Sequence, residues 1–390
     1  MNTLHTIQDF LEVKSAGNPS FSPDGKTIAY LSNDTGTFQL YLASRDGGGH
    51  EQVIFYNDQI AFALFSPTKN EVIFGMAKGG NEKTQYFLLD AASKEIVPIT
   101  DDPEVMHKWL QWSPDGQSIA YSSNKRNGTD FDVYVMNLIT REQKLIFKEG
   151  GWCDALGFSP NGDKIVVRKQ HTFVHHDLYL VDPESGGIEL LTPHEGEAEY
   201  GRPWWLPDES GFFFAGNEGR DFAGVCFYDI SAKKREYVLT PQWDVVDLAL
   251  TRDGSRLAVT TSEDGYSSVN IYDTQAMIRI AHSSFPKGII DNTTWSNDGS
   301  YLLFNFESSS DNRDVWLWSK AENSCMQITE SSCAISKDMF VEPESVRYTS
   351  FDGLSVPHLF SCQKKEQGRC RQFSGYMVVL KISIAQFSIQ

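Results

Sequence analysis

The residues best suited to chemistry lie in two short stretches near the middle of the chain. In Glu195-Gly196-Glu197-Ala198-Glu199 three carboxylates crowd together, and Arg202 follows. Such a run can hold a cationic group, for example a peptide amine. It also suits a solvated loop with Arg202 as its internal ion-pair partner. The second stretch is His175-His176-Asp177. Neighbouring residues of a strand point to opposite faces, so these two imidazoles do not share one metal ion, and no metal site is expected. The sequence has no G-x-S-x-G elbow for a nucleophilic serine, no P-loop, no zinc motif and no G-x-G-x-x-G. No catalytic residue and no cofactor is therefore expected.

What must position these residues is a repeat. Trp112-Ser113-Pro114-Asp115-Gly116 closes a strand on an aromatic residue and turns. Pro114 fixes φ at the second turn position, Asp115 tolerates the third, and Gly116 can take φ > 0. Related turns begin at Phe21, Phe65, Phe158, Trp205, Leu250 and Trp295, with spacings of 44, 47, 46, 47, 45 and 45 residues from first to last. A second mark recurs after each turn, as in Leu40-Tyr41-Leu42, Leu178-Tyr179-Leu180 and Val315-Trp316-Leu317. A fourth-strand run such as Ile188–Thr192 completes the unit. A period near ~45 residues built only from strands is the signature of propeller blades. The expected fold is all-β: a seven-bladed β-propeller of four-stranded blades, each packed against its neighbours around a closed ring.

The expected organisation is a helical segment over 1–15 capped by Thr6, the propeller over 16–335, and a different unit over 336–390. No spare strand crosses between the first and last units, so the ring must close by packing alone. Strand alternation puts the S-P-D-G turns on one face. The long charged connectors Arg168–His176, Glu195–Arg202 and Glu218–Phe222 fall on the other, where binding is expected. The Asp residues after the third strands (Asp90, Asp182, Asp229, Asp273) read as turn formers.

With 34 basic and 52 acidic residues the chain carries a net charge of −18 and shows no basic stripe. Nucleic acid and anionic membrane are therefore not expected as partners. No run has the length of a membrane span, and the N-terminus lacks a secretory pattern. The six cysteines form no C-x-x-C pair, which suits thiols in a reducing compartment; a cytoplasmic location is expected.

The repeats resemble the propeller of prolyl oligopeptidase family serine peptidases, particularly the acylaminoacyl-peptidase-like branch. The residues that carry this are F-S-P-D-G-K-T-I-A-Y at Phe21–Tyr30, Glu197–Leu206 together with Asn217–Tyr228, and the hairpin V-E-P-E-S-V-R-Y-T-S-F-D-G-L-S-V-P at Val341–Pro357. The resemblance implies that this last hairpin is the stump of an α/β-hydrolase domain that carries Ser, Asp and His. Arg371–Lys381 departs from the family. Regrouping its codons by one base permits the family's strand and H-G-G-P, with one Gly forced by Met377 followed by Val378. A frameshifted tail and a lost peptidase domain are expected. Two functions follow. The first is the substrate-gating portion of a serine peptidase acting on short peptides, with Glu195, Glu197, Glu199 and Arg202 along the substrate channel and no activity in this chain alone. The second is a non-catalytic propeller that holds a protein partner. The exit hairpin favours the first.

Overall fold

The computed structural model describes residues 6–281, 285–364 and 370–373. Seven four-stranded antiparallel sheets follow one another along the chain, each with its strands in sequence order. Their first strands are Ala16–Phe21, Ile60–Phe65, His107–Trp112, Trp152–Phe158, Trp204–Trp205, Asp244–Leu250 and Ile289–Trp295. These end on the seven residues that open the repeated turns. In five of the seven neighbouring pairs of blades the first strands pack against each other, which makes these strands the inner wall around an axis.

The turn chemistry is as the residue types require. The Ser113 carbonyl accepts from Gly116 N–H at 2.9 Å, and Ser113 Oγ donates to Asp115 Oδ1 at 2.6 Å. Gly116 sits at φ 68°. Asp90, Asp182, Asp229 and Asp273 each accept backbone N–H groups two or three residues on, closing the turns after the third strands.

Packing explains the near-continuous apolar second strands. Each is buried on both faces, and alternate residues serve different interfaces. Leu302 and Phe304 pack toward blade 6, while Leu303 packs toward blade 1. Phe212 and Phe214 face blade 4, and Phe213 faces blade 6. The apolar core is thus divided among blade-to-blade clusters.

Among the described residues the ring closes without an exchanged strand. Ala16, Ile28 and Tyr30 of blade 1 pack with Leu303, Val315 and Leu317 of blade 7. Ala16 N–H donates to the Arg313 carbonyl at 2.8 Å and Lys14 N–H to the Ser332 carbonyl at 3.0 Å. Ahead of blade 1, Thr6 and Asp9 form a capping box on a five-residue helix, Ile7–Leu11.

Three features differ from the sequence expectation or add to it. Residues 168–176 are not a loop. They belong to a long hairpin of strands Ile165–Thr172 and His175–Val181, with Phe173 and Val174 at its tip. Arg168, Lys169, Gln170 and Thr172 pair with Leu178, Asp177, His176 and His175, so the ladder runs on through the charged stretch. The inner strands of blades 1, 2, 3, 4, 6 and 7 each carry a register shift, a bulge that no simple alternation reveals. After the last blade, strands Glu344–Thr349 and Ser355–Lys364 pair as the exit hairpin, and Cys370–Phe373 adds a third strand. Most of the segment expected to be frameshifted, 374–381, lies outside the described residues.

Candidate functional site

The face opposite the S-P-D-G turns gathers every charged stretch singled out in the sequence. The acidic run is split by its own backbone. Glu195 and Glu197 are exposed, whereas Ala198 is buried and its carbonyl accepts from His176 N–H at 2.8 Å. Glu199 is tied to blade 5: its N–H donates to Asn217 Oδ1 at 2.7 Å, and its Oε1 accepts from Asn217 Nδ2 at 3.2 Å. The run is therefore anchored at one end and free at the other.

Arg202 does not close back on Glu195 or Glu197; no ion pair joins them among the described residues. Tyr200 bridges Gly216, and Gly201 N–H donates to the Ala215 carbonyl at 2.8 Å, so the chain is already extended there. That carries Arg202 onto the inner wall, where its guanidinium lies over the Trp204 ring at 4.4 Å. The side chain is exposed, two residues ahead of the inner strand Trp204–Trp205. Surrounding protein mass holds its pKa below the usual arginine value, opposed by the charge of Asp247.

Asp247 occupies the bulge of blade 6. Its Oδ2 accepts from Thr293 N–H at 2.8 Å and Thr293 Oγ1 at 2.9 Å across the blade interface. Enclosure pushes its carboxyl up to about 6, with Asp291 adding to the rise and Thr293 opposing it. Asn18 plays the same structural part in blade 1, accepting from Ala63 N–H at 3.2 Å.

Blade 4 holds a buried ionic knot. Asp154, fully buried, accepts from Trp152 Nε1 at 2.6 Å, Gln170 Nε2 at 2.6 Å, and Arg168 Nε and Nη2 at 2.9 and 2.7 Å. Arg168 Nη1 also donates to the Tyr200 carbonyl at 3.3 Å. Its guanidinium faces Trp109 at 5.2 Å. One side chain thus ties blades 3, 4 and 5 at the rim of the axis.

The histidines divide as strand geometry requires. His176 turns inward, accepts from Tyr200 N–H at 3.4 Å and is held neutral, its pKa pushed down to about 3 by burial and by Arg168. His175 turns outward between His171 and His194, with ring centroids 4.6 and 5.1 Å away. His171 Nε2 lies 2.7 Å from Asp177 Oδ2. Among the described residues, no group of His, Cys, Asp and Glu has the geometry to hold a metal ion.

Sequence reasoning missed the neighbouring cleft in blade 5, about 440 Å³ and lined by Tyr200, Glu218, Cys226, Arg235 and Tyr237. Glu218 Oε2 accepts from Tyr200 Oη at 2.9 Å and from Arg235 Nε at 2.8 Å, and Tyr237 Oη donates to the Glu218 carbonyl at 2.9 Å. Burial raises the Tyr200 hydroxyl and pushes the Cys226 thiol up to about 12. The charged connector 218–222 was the available signal, but its partners lie on another strand.

The exit hairpin docks on this same face. Arg347 Nη2 meets Asp264 Oδ2 at 2.7 Å, Lys287 Nζ meets Glu342 Oε1 at 2.5 Å, and Tyr266 Oη donates to the Pro343 carbonyl at 3.3 Å. These anchors are polar; Val346, Tyr348, Phe351 and Leu354 of the hairpin remain exposed.

The model of the prolyl oligopeptidase N-terminal β-propeller domain matches residues 58–309. Dipeptidyl-peptidase 5 of Porphyromonas gingivalis is 26% identical over 291 residues, spanning 60% of this chain and 42% of that protein. The uncharacterized peptidase YuxL of Bacillus subtilis is 26% identical over 231 residues, spanning 56% of this chain and 32% of that protein. The chain thus spans less than half the length of these curated relatives. A prolyl endopeptidase structure superposes with a TM-score of 0.72 at 16% identity, over 89% of this chain and 54% of that one. That likeness shows the fold. Among the described residues, no helix is long and apolar enough to cross a membrane.

Proposed function

Since the chain belongs to the prolyl oligopeptidase N-terminal β-propeller family, we propose that it is the access-controlling portion of a serine peptidase that acts on short peptides. The observation that carries this reading is the placement of the exit hairpin. It leaves blade 7 and lies on the face that holds Glu195, Glu197, Arg202 and the ionic knot. A hydrolase domain continued from that hairpin would cover the charged mouth. A reactive serine beneath it would then be reached only by chains narrow enough to enter. This chain has no nucleophile elbow of its own, so its part is to bind, orient and exclude.

The alternative reading is a free-standing propeller that holds a protein partner on the same loops. The exposed apolar residues Phe173 and Phe55 favour it. The gene separates the two. The peptidase reading expects C at the third base of codons 371, 376 and 379 and G at codons 378 and 380, with a G-x-S-x-G frame continuing downstream in the shifted register. Other third bases, or no such frame, would favour the partner-binding scaffold.

A further inference from the structure

We infer that the seam between blades 2 and 3 is a proton-operated joint: His107 keeps it closed while neutral, and protonation of that imidazole releases the connector 99–106 that leads into it. The inference does not depend on a peptidase role. It adds a control on one of the connectors between blades.

The first observation is a group of buried polar atoms without partners. His107 opens the inner strand of blade 3 and is 4% exposed. Among the described residues neither its Nδ1 nor its Nε2 has a hydrogen-bond partner, and the same holds for Gln85 Oε1 and Tyr86 Oη of blade 2. The His107 ring centroid lies 5.4 Å from that of Tyr86 and 5.5 Å from that of Tyr121, and both tyrosines are fully buried. A neutral imidazole can sit among such rings at the cost of unmade hydrogen bonds. An imidazolium brings two N–H donors and a charge into the same apolar place, which costs far more.

The second observation is how the connector is fastened. Gln85 Nε2 donates to the carbonyls of Asp102 and Val105 at 2.8 and 3.0 Å. Thr100 Oγ1 accepts from Tyr86 N–H at 2.9 Å. On the blade 3 side Met106 N–H donates to Asn124 Oδ1 at 2.8 Å. Tyr86, which packs on His107, is thus one of the residues that hold the connector, and Met106 directly precedes the imidazole. A ring that must leave to find water pulls on both ties.

The charged groups that act on His107 are Lys125, from the loop after the second strand of blade 3, and Asp102, from the connector. Glu104 is engaged by Lys83 at 2.5 Å. Tyr86 and Tyr121 can titrate, but burial raises both and they stay neutral. Burial, reinforced by Lys125 and opposed by Asp102, pushes His107 down to about 4. Opening returns the imidazole to water and to a value of about 6.5. The closed form is therefore fully favoured above that value and loses ground as the pH falls toward 4. These two values set the response: relative to pH 7.5, opening gains about 10-fold at pH 5.5 and about 70-fold at pH 4.5.

The test is hydrogen exchange of the full chain at pH 7.5, 5.5 and 4.5, corrected for the intrinsic rate at each pH. The readout is the set of bonded amides of Ile99, Thr100, Val105 and Met106, with Val53 and Ile60 of the preceding connector as reference. Protection of the first set should fall about 10-fold between pH 7.5 and 5.5 while the reference holds. His107→Phe should remove the response, and Lys125→Gln should shrink it. Thermal melts confirm that each variant folds, and His107→Gln serves where the phenylalanine does not fit. Unchanged protection in wild type overturns the inference. So does the same fall in a folded His107 variant, or an equal fall at Val53 and Ile60, which would mean general loosening by acid.

Discussion

The Asp154–Arg168 pair offers a quantitative test of how the charged face is held. Asp154 is fully buried and Arg168 is 6% exposed. Four donors converge on the carboxylate, and the guanidinium reaches three blades. Removing one partner strands the other in a desolvated place. Asp154→Asn leaves a buried cation. Arg168→Met leaves a buried carboxylate with only Trp152 and Gln170. Each single variant should lose about 3–5 kcal/mol, the cost of an uncompensated buried charge. For a unit of ~310 residues that is a fall in Tm of about 5–8 °C. The double variant removes both charges, so it should cost no more than either single one, with a coupling of at least ~2 kcal/mol. Urea unfolding and calorimetry of the four proteins measure this. Single variants within ~0.5 kcal/mol of wild type, or a double variant that equals the sum of the singles, would refute the reasoning.

Further outcomes follow from the same geometry. Gly116 has φ 68°, and a Cβ there would lie 2.4 Å from Thr68 Oγ1 of the next blade, whereas a Cβ on Gly128, at φ 78°, would meet open space. Gly116→Ala should therefore cost about 2 kcal/mol or more and Gly128→Ala about 1, as read by thermal melts; equal costs would mean that the turn does not touch its neighbour. Arg347→Ala, or high salt, should speed proteolytic release of the exit hairpin, since its anchors are exposed ion pairs that salt screens; a cleavage rate indifferent to both would show other anchors. The purified chain should take no label from a fluorophosphonate, and a single labelled serine would contradict the absence of an elbow.

The fold was legible because a turn is a local event. Pro, Asp and Gly in fixed order set backbone angles by themselves, and seven copies located seven inner-strand ends. The core partition was legible too, since apolar runs without alternation mean burial on both faces. The bulges were not, because an extra residue on one strand becomes visible only against its partner. Arg202 was assigned to the acidic run by proximity in sequence; one turn of extended chain carried it to Trp204 and toward Asp247, 45 residues away. The hairpin's anchor from Arg347 to Asp264 spans 83 residues, and no local pattern encodes it. The Glu218–Arg235 pair was hidden for the same reason.

The central claim, that this propeller restricts a peptidase to short chains, is tested most directly by joining residues 1–370 to whatever hydrolase segment sequencing of the gene finds in the shifted frame. The measurement is kcat/KM for peptides of increasing length around one cleavable bond. The account expects efficient cleavage of tripeptides to pentapeptides and a steep fall for longer or folded substrates, abolished when the propeller is deleted and the hydrolase still reacts with a small ester. Cleavage of a long, unfolded polypeptide as fast as a tripeptide, with the propeller present, would contradict it.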